Sequence, residues 1–189
     1  MIPDHEFEKI EGVPGPTKQE IRCLVMCKAQ ISSDDVVLDV GCGTGGLTVE
    51  FSQRVKKVFA VDKNPQAVEV TLQNLKKFNP SGDVELFKND ALSVMENLPP
   101  LDVLVIGGSS GDLTPIIKRG HEILKKGGRI IVTAILLETR SAAVSILKEL
   151  EMKPEIVEVS VARGKVLNSG TMMKANNPVA IITGYKNFN

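Results

Sequence analysis

Five short apolar runs alternate with five stretches of helical periodicity between residues 36 and 150, and nothing else in the chain narrows its fold as much. Strands are predicted at 36–40, 57–61, 84–87, 101–106 and 129–135, with helices at about 46–54, 65–78, 91–96, 112–125 and 138–150. Such alternation dictates a parallel, doubly wound α/β sheet with helices on both faces. The tail departs from it. Glu151 to Lys153 turns the chain into the β-branched run Ile156 to Val161, and a last apolar run, Val179 to Thr183, pairs with it as an antiparallel hairpin. Pro3, Pro14 and Pro16 keep residues 1–16 extended. Thr17-Lys18-Gln19-Glu20 has the form of a capping box, so a helix is predicted from about Lys18 to Gln30. At this length one domain, 1–189 with a short N-terminal extension 1–16, is expected.

Composition removes several function classes. Lys plus Arg and Asp plus Glu both count 23, which argues against a large nonspecific nucleic-acid footprint. The aromatic content is 4%, with no Trp and one Tyr, and that disfavours base stacking. No apolar run approaches the length of a membrane span, and Met1 to Glu6 lacks a basic region followed by a hydrophobic stretch. A soluble cytoplasmic protein is therefore expected. Cys23, Cys27 and Cys42 form no disulfide framework. Cys23 and Cys27 share a helix face, but with only His5 and His121 elsewhere they read as small buried apolar residues, and no metal site is expected.

Chemistry is expected at the carboxyl ends of the strands, where ligands bind in open α/β sheets. Val40 is followed at once by Gly41-Cys42-Gly43-Thr44-Gly45. Glycines there let the backbone turn tightly and bring N–H groups to a ligand. Gly41, Gly43 and Gly46 also spell the dinucleotide fingerprint. The flank favours another cofactor. Asp39 would repel a pyrophosphate but suits the ammonium and sulfonium of S-adenosylmethionine. Asp62, at the end of the second strand, can accept from a ribose diol, or it caps the helix opening at Asn64-Pro65. Asp90 can accept from an adenine amine and the Ala91 N–H can donate to the ring, or the pair caps the helix at 91–96. Gly107-Gly108-Ser109-Ser110-Gly111 reads either as an anion nest or as a tight loop. Arg163 and Lys165, with Arg140 and Lys174, are candidates to pair with an acidic substrate, or are solvated charges. No residue stands out as a catalytic base.

The glycine loop resembles that of S-adenosylmethionine-dependent methyltransferases, and the chain as a whole is similar to the cobalt-precorrin-6B methyltransferase (decarboxylating) family of cobalamin biosynthesis. The matching stretches include Val13-Pro14-Gly15-Pro16-Thr17, Asp39 to Gly46, Val61 to Pro65, Ile106 to Ser109, Arg129 to Glu138, Ala162-Arg163-Gly164, Gly170 to Met173 and Asn177 to Ala180. The resemblance implies a Rossmann-like class I methyltransferase: a seven-stranded, mostly parallel sheet with a C-terminal antiparallel hairpin. It implies methyl transfer from S-adenosylmethionine to carbon-15 of a cobalt-precorrin, with loss of carbon dioxide from the ring C acetate. Thr17, the loop Gly41, Cys42, Gly43, Thr44 and Gly45, and Asp62 and Ala91 would line the cofactor, and the assembly would be a homotetramer. Asn89 departs from the family, where a glycine before the acid is commoner. Gly107, Gly108, Ser109, Arg163 and Lys165 suit the carboxylates of the ring substrate. The remaining alternatives are a tRNA adenine methyltransferase, a protein carboxyl methyltransferase and a non-catalytic S-adenosylmethionine-binding module.

Overall fold

A computed structural model describes residues 1–187 and closes the predicted alternation into one sheet. In chain order the elements are α1 (Gln19–Ala29), β1 (Val36–Val40), α2 (Gly46–Ser52), β2 (Lys57–Asp62), α3 (Pro65–Phe78), β3 (Asp83–Lys88), α4 (Ala91–Met95), β4 (Leu101–Ile106), α5 (Leu113–Ile123), β5 (Leu124–Ala134), α6 (Leu137–Glu149), β6 (Glu155–Val159), β7 (Ala162–Leu167), β8 (Gly170–Ala175) and β9 (Val179–Tyr185). The seven-stranded sheet runs β3-β2-β1-β4-β5-β9-β6. Its first five strands are parallel, and β9 lies antiparallel between β5 and β6. The expected terminal hairpin is present, with Ile156 opposite Ile182.

The two-residue period of the strands builds two cores. Leu38, Val40, Phe59, Leu104, Ile106, Ile130 and Val132 face one side and pack against Met95 of α4, Ile116 and Ile117 of α5, and Ile146 and Leu147 of α6. Val37, Val58, Val103, Val105 and Ile131 face the other side and meet Ile21 and Val25 of α1 and Leu47 and Phe51 of α2. Each such side chain contributes roughly 1.5–3 kcal/mol by leaving water. No helix among the described residues is long and apolar enough to cross a membrane.

Three expectations need correction, and a fourth feature was not anticipated. First, residues 1–16 are packed, not merely extended. Phe7 sits against Val49 and Leu75, and Val13 against Ala67 and Val70. Second, the capping box does not form. Lys18 is the N-cap of α1, in extended geometry with no side-chain cap, and the Thr17 carbonyl instead accepts from Arg22. Arg22 is fully buried. It donates to Asp4 Oδ1 at 2.8 Å and to the Ile2 carbonyl, approaches the fully buried Glu50 at 3.5 Å, and lies over the Phe7 ring. Glu50 also accepts from the Ile2 N–H at 2.7 Å, so the start of the chain is strapped onto α1 and α2. Third, Cys23 and Cys27 are exposed on α1, because Ile21, Val25 and Ala29 occupy its inner face. Fourth, β7 and β8 form a separate antiparallel ribbon between β6 and β9, exposed along its length. It buries no face against the sheet, so no burial pattern marks it in the sequence.

Candidate functional site

Two cavities open at the carboxyl ends of the parallel strands. One, of about 310 Å³, is lined by Asp39, the loop Gly41 to Thr44, Asp62, Asn89 and Ala91. The other, of about 660 Å³, is lined by Ile106, Val132 to Leu136, Thr139, Val159, Val161, Asn176, Asn177 and Val179. Pro14, Gly15, Thr17 and Gly107 to Ser110 line both, so one thin wall separates them. At that wall the loops after β1 and β4 cross. A Cβ on Gly41 would stand 2.6 Å from backbone atoms of Gly108, and Gly41 has φ +72°. Only glycine fits there.

The smaller cavity is built around the glycine loop. Gly43 has φ +59°, and nothing lies within 4 Å of where a Cβ would point, so a ligand can approach the main chain. The Thr71 hydroxyl donates to the Gly43 carbonyl at 2.8 Å, and Asn74 Nδ2 donates to that of Thr44 at 2.9 Å. Both partners lie on α3 and fix the loop. The Thr44 hydroxyl is buried and has no hydrogen-bond partner among the described residues. Asp62 accepts from the Gly43 N–H and the Asn64 N–H, each at 2.9 Å, through different oxygens. Each oxygen keeps a further acceptor site, enough for a vicinal diol. Capping of α3 falls to Asn64, which accepts from the Gln66 N–H at 2.9 Å. Asp39 is buried, and burial pushes its pKa up to about 6 against the pull of the Thr48 hydroxyl, 2.6 Å away. Burial also drives the Cys42 thiol well above its usual range, with Asp39 and Asp62 adding to the effect. Cys42 is therefore a wall residue, not a nucleophile.

Other expected residues are placed differently. The Asp90 carboxylate caps α4, accepting from Leu92 N–H at 2.9 Å and Ser93 N–H at 3.4 Å. Its ion pair with Lys63 at 2.7 Å holds its pKa below the usual range. Asn89 and Ala91, on either side, line the cavity. Gly107 and Gly108 both donate their N–H groups to the Val40 carbonyl, so an anion nest is reduced to Ser109, Ser110 and Gly111. Arg163 lines neither cavity. Its guanidinium donates to Glu20 at 2.6 Å and to Asp4 at 2.9 Å. Lys165 lies on the exposed ribbon, outside the lining of either cavity. Arg140 pairs with Glu158.

Comparison with known proteins gives this architecture a family. Residues 14–186 match the precorrin methyltransferase domain family. The chain belongs to that family. It is 48% identical over 182 residues, 96% of this chain and 95% of the relative, to a protein of Methanothermobacter thermautotrophicus named "probable cobalt-precorrin-6B C(15)-methyltransferase (decarboxylating)". Among solved structures it superposes on a precorrin 8W decarboxylase from Methanobacterium thermoautotrophicum with a TM-score of 0.95, at 48% identity over 97% of this chain and 99% of that one. A precorrin-6y C5,15-methyltransferase from Geobacter metallireducens gives a TM-score of 0.91 at 34% identity, covering 98% of both chains. In this precorrin methyltransferase the sequence reading reached Gly107 to Ser109 of the larger cavity but overlooked its other walls. Thr133 to Leu136 span the end of the parallel strand β5, so the strand-end rule already pointed to them. Asn176 and Asn177 follow the ribbon and carried no such signal.

Proposed function

We propose that this chain methylates carbon-15 of a cobalt-precorrin, using S-adenosylmethionine, and releases carbon dioxide from the ring C acetate, as a step in cobalamin biosynthesis. The observation that carries the reading is the pair of cavities meeting across Thr17 and Gly107 to Ser109. The smaller suits the donor. Asp62 would take the ribose diol, the Ala91 N–H the adenine, the Thr44 hydroxyl a polar group of the amino-acid end, and Asp39 the ammonium charge. Asn89 and Ala91 both line this cavity. The sulfonium supplies an electrophilic methyl group, so the attacking ring carbon needs only correct alignment.

The larger cavity suits a flat macrocycle. Its lining holds no carboxylate, histidine or cysteine, so the residues present orient the substrate and exclude water instead of moving protons. The apolar walls Val132, Ile135, Leu136, Val159 and Val161 would also disfavour an unpaired carboxylate relative to neutral carbon dioxide. Methyl transfer leaves the conjugated ring short of an electron pair, which the breaking C–C bond supplies as carbon dioxide leaves; the methylene carbon then takes a proton from water and the ring gives one up, so the net change is one methylene gained and one carbon dioxide lost. A homotetramer fits the β7–β8 ribbon, which exposes Val166 at 81% and Met173 at 62% with no cover of its own; light scattering tests it.

The decisive assay is turnover of cobalt-precorrin-6B with S-adenosylmethionine, read by mass spectrometry. The product should gain one methylene unit and lose one carbon dioxide. A chain that binds S-adenosylhomocysteine yet never turns the corrinoid over would be a binding module, and the proposal would fall.

A further inference from the structure

Among all residues lining the larger cavity, Lys18 alone is titratable. It stands next to Thr17, one of the residues common to both cavities. Its backbone is held in place, because the Thr17 carbonyl before it accepts from the buried Arg22 and its own carbonyl accepts from the Arg22 N–H at 2.9 Å. The neighbouring cations are all committed. Arg22 is paired with Asp4 and Glu50, Arg163 with Asp4 and Glu20, Arg140 with Glu158, and Lys63 with Asp90 and Asp112. Lys18 has no carboxylate partner among the described residues. An exposed lysine with no carboxylate partner, lining an otherwise uncharged cavity, is the one charged group there that can tell one edge of a polyanionic ring from another.

We propose that Lys18 anchors a peripheral carboxylate of the macrocycle and thereby sets which edge of the ring enters the uncharged interior. The proposal rests on the corrinoid reading above and adds a substrate-anchoring residue to it. Anchoring one carboxylate at the wall leaves another to enter the apolar end without a cation, which is the condition that favours loss of carbon dioxide. A lysine also suits this task because a flexible stem with three donors tolerates carboxylates on differently placed side chains.

The test uses Lys18→Gln, Lys18→Glu and Lys18→Arg in the full chain. The Gln variant should raise the KM for cobalt-precorrin-6B about fivefold, as expected for a partly exposed charged contact. Glu should raise it further, Arg should restore it, and S-adenosylhomocysteine affinity should stay within about twofold in all three. A second readout needs no turnover. In an absorbance titration with S-adenosylhomocysteine present, the wild type should prefer a polycarboxylated cobalt corrinoid to its methyl ester. That preference should shrink in Lys18→Gln and with added salt. Unchanged KM in both Gln and Glu variants, or equal binding of acid and ester by the wild type, would overturn the role of Lys18 while leaving the proposed reaction standing. A wild type that never turns over cobalt-precorrin-6B removes the reaction, and the titration then still decides whether Lys18 holds a corrinoid carboxylate.

Discussion

Asp39→Asn separates the cost of the cofactor pocket from its benefit. In the folded chain burial raises the Asp39 carboxyl from 3.8 to about 6, with Asp62 adding to the rise. The native state therefore keeps a proton that the unfolded chain releases between those values. Stability tied to this group is complete below the unfolded value and is lost as the pH climbs through about 6. The gap corresponds to about 3 kcal/mol carried as a penalty at neutral pH. Asparagine removes the titration and accepts from the Thr48 hydroxyl as the protonated acid does; the stronger bond to the ionised form is already contained in the net shift. The ligand-free variant should then be about 3 kcal/mol more stable than wild type at pH 7.5, and the advantage should vanish as the pH falls below the unfolded value of 3.8. Its affinity for S-adenosylhomocysteine should fall about tenfold, since the ammonium loses its counter-charge. Urea unfolding at several pH values and calorimetry measure both. A variant less stable than wild type at pH 7.5, or one whose advantage is the same at every pH, refutes the reasoning.

Asp62→Ala removes the proposed acceptor for the ribose diol and the anchors of the Gly43 and Asn64 N–H groups, so S-adenosylhomocysteine binding should weaken at least tenfold with circular dichroism unchanged; calorimetry checks it. Gly41→Ala should abolish cofactor binding in equilibrium dialysis, because its Cβ would press on Gly108 at 2.6 Å, whereas Gly108→Ala, whose Cβ would have 3.8 Å of clearance, should retain it. Glu50→Gln leaves the buried Arg22 short of a charge partner and should cost roughly 3–5 kcal/mol in urea unfolding. Arg163→Ala breaks ion pairs that are half open to solvent, so it should cost no more than about 1 kcal/mol and leave the corrinoid KM unchanged.

What could be read in advance was whatever leaves a period or a punctuation mark. The parallel strands bury both faces, so Val36 to Val40 and Leu101 to Ile106 stood out as apolar runs, and Gly41 to Gly45 marked the turn that follows. Family motifs carried the reading further, to a reaction class. Residues defined by distant partners stayed hidden. Arg22 looks like a surface position between Ile21 and Cys23, and only the return of Asp4, Ile2 and Glu50 makes it central. Asp90 and Asp62 both close strands, yet one is taken up by a helix cap and the other is not, because Asn64 stands ready to cap α3. The ribbon was invisible for the same reason that its side chains are exposed.

The crossing of Gly41 and Gly108 makes the partition between donor and acceptor a shared piece of main chain. Whatever stiffens one loop stiffens the other, because neither can shift without the two backbones meeting. A ligand that ordered this shared main chain from one side would lower the ordering cost for a ligand on the other, with no domain movement, and titration of each ligand with and without the other measures that coupling.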